Sequence, residues 1–125
     1  MKEIKFRAWD EDLKKMYNNW TVIPQKHQEN PILMQFTGLK DKNGKEIYEG
    51  DILKFERRFG REGDFSSKWC AVVIWSNSFN KAKFITSNIA DPDDYIDFNN
   101  NIKDIEVIGN IYEHPELMEE NNESI

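Results

Sequence analysis

Residues 34–55 read MQFTGLKDKNGKEIYEGDILKF, and the reading of this stretch decides the fold. Two strand-like runs, QFTGL and DILKF, enclose two turn signals, Asn43-Gly44 and Glu49-Gly50-Asp51. Asn-Gly is the strongest short-range hairpin signal, because the tight turn it favours needs positive φ at its central residues. The expectation is a two-residue turn at Asn43-Gly44, or a bulged relative of it, with Gly44 at positive φ. Gly50 at the start of the next strand marks a second sharp bend, with the Asp51 carboxylate accepting backbone N–H groups inside it.

Outward from this centre the chain continues in the same style. Ile4, Phe6 and Ala8 alternate with Lys5, Arg7 and Trp9, the pattern of a half-buried strand. Lys15 to Trp20 reads as a returning strand, the polar Pro24 to Pro31 as a loop, and Leu33 to Leu39 as a strand. Glu56 to Ser67 is rich in charge and carries Gly60 and Gly63, so composition makes it a connection between strands. Trp69 to Trp75 is the most apolar run. Trp69, Ala71, Val73 and Trp75 share one face, and Cys70, Val72 and Ile74 the other, as in a central strand covered on both sides. Asn80 to Thr86 reads as its hairpin partner, Asp91 to Asn101 as a loop, and Ile105 to Tyr112 as the last strand. Pro115 opens a helical turn. The fold class is therefore all-β: a small SH3-like barrel or rolled antiparallel sheet with a short C-terminal helical turn. Residues 1–118 are expected to form one domain, and 119–125 a polar tail.

Bulk properties narrow the classes of function. The chain has 125 residues, 38% hydrophobic and 32% charged, and its 4 Trp, 4 Tyr and 8 Phe exclude a disordered chain. A single cysteine, Cys70, excludes an internal disulfide and suits a reducing compartment. No apolar run approaches the roughly 20 residues of a membrane span. A cytoplasmic protein is the expectation. The net charge of −6 is uneven: residues 1–70 hold 14 Lys/Arg against 12 Asp/Glu, and residues 71–125 hold 3 against 11. An acidic half argues against broad wrapping of nucleic acid.

Three blocks of sequence resemble the YopX family, small proteins of bacteriophages and prophages. They are EIKFRAWDEDLKKMY at Glu3–Tyr17, the central stretch at Met34–Phe55, and VIGNIYEHPELM at Val107–Met118. The resemblance implies a largely β fold and a phage-encoded protein of the bacterial cytoplasm. It implies no activity, so no site residue is carried over from it.

Candidate chemistry is sparse. His27, His114 and Cys70 show no metal-ligand spacing, and Cys70 sits on a strand face with Val72 and Ile74 as a small hydrophobe. Asp91, Asp93, Asp94 and Asp97 gather carboxylates but miss the EF-hand pattern, since Tyr95 and Ile96 occupy a ligand and the glycine position. Glu46, Glu49 and Asp51 lie close in sequence, yet acid–base work needs a cleft and separated pKa values. No cofactor and no catalytic residue is expected, and the protein is read as not an enzyme. The reading favoured by the sequence is a binding module for a host or phage protein or for a second copy of itself, with no membrane partner. Trp9, Trp20, Trp69 and Trp75 are candidates for core or contact positions. The alternative is single-stranded nucleic acid, held by the basic-aromatic segment Lys54, Arg57, Arg58, Phe59 and Arg61.

Overall fold

The structure, a computed structural model, describes residues 5–18, 31–61, 65–76, 83–91, 94–98 and 102–123. Trp20, His27, Asp93 and all of the expected Pro24–Pro31 loop but its last residue fall outside these residues.

Among the described residues, nine strands and one helix follow in order: β1 (Phe6–Asp10), β2 (Lys15–Tyr17), β3 (Ile32–Lys40), β4 (Glu46–Tyr48), β5 (Asp51–Phe59), β6 (Phe65–Ser76), β7 (Lys83–Asn88), β8 (Tyr95–Asp97), β9 (Ile102–Asn110) and α1 (Glu116–Glu123). They make two antiparallel sheets, β2-β1-β3-β4 and β8-β7-β6-β5-β9. The protein is all-β with a short C-terminal helix, as the turn-punctuated sequence requires. β6 lies in the middle of the larger sheet and is covered on both faces. On one side Ala71 and Val73 join Leu53, Phe55, Ile96 and Ile102, with Ile47 of the smaller sheet completing the cluster. On the other, Cys70, Val72 and Ile74 pack with Ile52, Ile89 and Ile108 beneath Leu117 and Met118 of α1.

The Asn43-Gly44 turn takes the bulged form. Gly44 N–H donates to the Asp41 carbonyl at 3.0 Å and Asp41 N–H to the Lys45 carbonyl at 2.8 Å, with Gly44 at φ 83° and Asn43 not in the positive region. The left-handed position falls on the residue without a Cβ. Gly50 lies at φ 87° and joins three parts of the chain: its N–H donates to the Val73 carbonyl at 2.9 Å, and its carbonyl accepts Ile111 N–H at 3.0 Å.

Two stretches differ from their sequence reading. Glu56–Ser67 is not a connection over most of its length. β5 runs to Phe59 and β6 starts at Phe65, paired residue by residue from Ile52↔Val72 to Phe59↔Phe65. Charged residues on a strand that extends past the body of the sheet have solvent beside them, so composition alone gives them the look of a loop. Likewise α1 continues past Met118 to Glu123, where a polar tail is expected from Glu119. Its acidic first turn, Glu116 and Glu119, suits the positive end of the helix dipole.

Candidate functional site

Among the described residues two concave surfaces stand out, one polar and one aromatic. The polar cleft encloses about 400 Å³ where the two sheets meet the turn before α1. Its floor is built around Arg7 of β1. The Arg7 guanidinium donates from Nη2 to Asp51 Oδ1 at 2.6 Å and to the Glu49 carbonyl at 3.4 Å, and it lies 4.8 Å over the Tyr48 ring. The side chains of this pair are 8% and 1% exposed. Asp51 Oδ2 also accepts Tyr48 N–H at 2.7 Å, which closes the bend at Gly50. Burial pushes the Asp51 carboxyl above the usual aspartate value, while the Arg7 charge and these hydrogen bonds pull it down. Arg7 Nε is buried and has no hydrogen-bond partner among the described residues.

The rim comes from three separate segments. Lys14 ends the β1–β2 turn and Lys15 opens β2, Lys45 follows the Asn43-Gly44 turn, and Asn110, Glu113 and His114 belong to the turn after β9. Asn110 organises that turn. Its Oδ1 accepts the N–H groups of Tyr112 and Glu113 at 3.0 and 2.8 Å, and its Nδ2 donates to Glu113 Oε1 at 2.8 Å. Its own N–H donates to His114 Nδ1 at 3.2 Å, which holds the ring against this turn. Gly109 brings the imidazole close: a Cβ there would stand 2.7 Å from His114 Nδ1 and 2.9 Å from Leu117 Cδ1. Arg7, Asp51 and Gly109–His114 thus bring together residues from all three sequence blocks that carry the family resemblance.

The aromatic groove, about 350 Å³, lies between the bulged part of β3 and the β6–β7–β8 edge. Thr37, Gly38, Leu39, Trp75, Phe84 and Phe98 line it, and a Lys83–Asp97 ion pair of 2.9 Å bridges its rim. Trp75 and Phe84, cross-strand partners, meet edge to face with centroids 4.7 Å apart. Trp75 remains 44% exposed and Leu39 43%. Sequence reading raised Trp75 as a contact candidate but could not find the groove, because its walls come from four strands.

The basic-aromatic segment is not a single surface. Arg57 and Arg58 lie within β5, so they point to opposite faces. Arg57 sits 5.1 Å over the Trp69 ring, on the side where Phe55 stacks with Trp69 at 6.5 Å. Lys54 and Arg58 lie on the other face, where Lys54 reaches Glu106 at 3.7 Å and Glu56 is flanked by Lys68 and Lys103 in register. Arg58 and Arg61 are exposed, and the Phe59 side chain lies outside what is described. The three neighbouring carboxylates are separately engaged: Glu46 pairs with Lys5 and accepts from Tyr48 Oη, Glu49 Oε1 accepts Gln35 N–H at 3.4 Å, and Asp51 holds Arg7. Cys70 belongs to the cluster under α1. Among the described residues no three His, Cys, Asp or Glu side chains converge as a metal site.

The YopX protein family profile matches residues 20–119, most of the chain. The chain belongs to the YopX family. The match takes in the two later sequence blocks, whereas Glu3–Tyr17 precedes it. A crystal structure of protein EF1440 from Enterococcus faecalis has a similar fold, with a TM-score of 0.59 and 24% identity over 94% of this chain and 99% of that one. That likeness is one of fold. No curated protein is similar enough to the chain to count as a relative. No described helix is long and apolar enough to cross a membrane.

Proposed function

We propose that this YopX protein is a non-enzymatic, phage-encoded binding module of the bacterial cytoplasm, and that its contact surface is the aromatic groove of Leu39, Trp75, Phe84 and Phe98. The observation that carries the reading is a tryptophan left nearly half exposed beside a concave apolar surface. Tryptophan is enriched among the residues that dominate protein–protein binding, and exposed apolar patches mark such contacts. The charged pair on the rim, Lys83 with Asp97, is internally neutral, so the groove offers no field for a polyanion.

The occupant is a different protein that inserts a bulky apolar side chain. A second copy fits less well, because a two-fold contact sets the same patch against itself. Two concave grooves face to face would enclose a void, with the loss of contacts that voids bring.

Affinity purification from phage-infected or prophage-induced cells, with and without nuclease, tests the reading when wild type is compared with Trp75→Ala and Leu39→Glu. The expected result is a nuclease-resistant protein partner that rebinds the purified chain one to one and is lost in both variants. A partner retained by both variants, a nuclease-sensitive one, or a dimer of the chain alone overturns the assignment of this groove.

A further inference from the structure

The polar cleft carries a second inference, independent of the aromatic groove. Four cationic side chains line it, Arg7, Lys14, Lys15 and Lys45, against two carboxylates, Asp51 and Glu113. Its balance of two positive charges stands out in a chain of net charge −6. Both carboxylates are already engaged. Asp51 is held by Arg7 and Tyr48 N–H, and Glu113 by Asn110 Nδ2. The cations keep capacity. Lys14 pairs only across an exposed, solvent-screened contact with Glu11, and Lys45 holds no ion pair among the described residues. Arg7 brings its positive charge into the lining, with Nη2 committed to Asp51 and the Glu49 carbonyl.

We infer that this cleft binds a small dianion of the phosphate type, free or as a monoester. The lining holds more cations than carboxylates, with Lys14 also offset by Glu11 beyond the lining, so the cleft favours an anion. Its volume lies in the range of small-ligand sites, whereas a nucleic-acid strand needs an extended groove. Lys15 and Lys45 supply mobile point charges, while Arg7, held by Asp51 and the Tyr48 ring, supplies a fixed positive charge in the lining. His114 and Lys14 also line the cleft. Burial of Arg7 keeps its charge away from bulk water, where attraction to an anion is weakest.

The test is titration of the full chain with inorganic phosphate and, separately, with a nucleoside monophosphate at low ionic strength, followed by amide NMR shifts and calorimetry. The expected result is saturable binding, with shifts centred on Lys15, Lys45, Gly109 and His114. Tighter binding of inorganic phosphate assigns the free anion, and tighter binding of the monophosphate assigns the ester. Lys15→Ala combined with Lys45→Ala should weaken binding by about tenfold or more, since hydrogen bonds to charged groups carry that much. Both residues are exposed, so the variant keeps its fold. Lys54→Ala, outside the cleft, should leave affinity unchanged. Shifts that fail to saturate, a double variant that binds as wild type, or equal saturation by chloride overturns the inference.

Discussion

Asp41 and Val107 are 66 residues apart in sequence and are joined by one hydrogen bond: Val107 N–H donates to Asp41 Oδ2 at 2.9 Å. The other oxygen of the same carboxylate accepts the N–H groups of Asn43 and Lys45 at 2.8 and 2.9 Å. A buried aspartate therefore caps the hairpin turn of the smaller sheet and ties it to the last strand of the larger one. Next to it, Lys42 N–H donates to the Ile105 carbonyl at 2.8 Å. Asp104, at φ 54°, supplies the bulge in β9 beside that carbonyl.

This tie sets an acid dependence. Burial raises the Asp41 carboxyl, but the three N–H donors outweigh it and hold the pKa below the usual aspartate value. The unfolded chain then takes up the proton first as pH falls. The stabilisation is complete above the unfolded value, about 3.9. It is lost as pH descends through the lower folded value. Asp41→Asn should destabilise at neutral pH, because an amide cannot accept at both positions. It should also flatten the acid limb of stability against pH in urea melts. An acid limb as steep as that of wild type would show that Asp41 contributes nothing to it.

The Arg7–Asp51 pair gives a second expected outcome. Removing one partner of a buried pair leaves an uncompensated charge and costs about 3–5 kcal/mol. Asp51→Ala should fall in that range, and it also orphans Tyr48 N–H. Arg7→Met with Asp51→Leu should cost less than the sum of the singles. A double-mutant cycle by urea unfolding reads the coupling, and strict additivity would remove the pair from the account.

The glycines should rank by their surroundings. Gly44 and Gly50 share the left-handed conformation, so alanine at either should cost about 1 kcal/mol or more. At Gly44 a Cβ meets nothing within 4 Å, whereas at Gly50 it meets Met34 Sδ at 3.2 Å and Tyr112 Cε2 at 3.6 Å. Gly50→Ala should therefore be the more damaging of the two in urea melts. Equal midpoints for the two variants would mean that the neighbours give way freely.

Val73 is fully buried in the central strand. Val73→Ala should cost roughly 1–3 kcal/mol, from lost burial and a partly unfilled cavity. A change within about 0.5 kcal/mol, the surface range, would contradict its place in the core.

What the sequence carries well is local. Gly44 and Gly50 announce themselves through turn chemistry, and Trp69–Trp75 through apolar residues on both faces. What it hides is non-local pairing. Nothing near Arg7 predicts that its partner is Asp51, 44 positions on, and nothing near Asp41 points to Val107. The polar cleft was illegible for the same reason: Lys15, Lys45 and His114 come from separate turns, each unremarkable alone. The hairpin of β5 and β6 misled through composition, because Arg57 sits on a ring and Arg58 in solvent, and a charge count does not distinguish them.

That distinction decides the last prediction, on nucleic acid. A single-strand site needs its cations along one groove beside stacking platforms. Here Arg57 and Arg58 face opposite sides of β5, Trp69 already has Arg57 over one ring face, and Lys54 is engaged with Glu106. Single-stranded DNA or RNA should bind no tighter than about 100 μM at physiological salt, the weak end of non-specific binding. The triple variant Arg57→Ala, Arg58→Ala, Arg61→Ala should change little. Each phosphate neutralised on a single strand adds about 0.7 to the slope of log affinity on log salt. A fluorescence-anisotropy titration across salt concentrations measures both quantities. A sub-micromolar complex with a steep slope, lost in the triple variant, would put nucleic acid ahead of a protein partner. It would also mean that the hairpin turns its two arginines onto one strand of ligand.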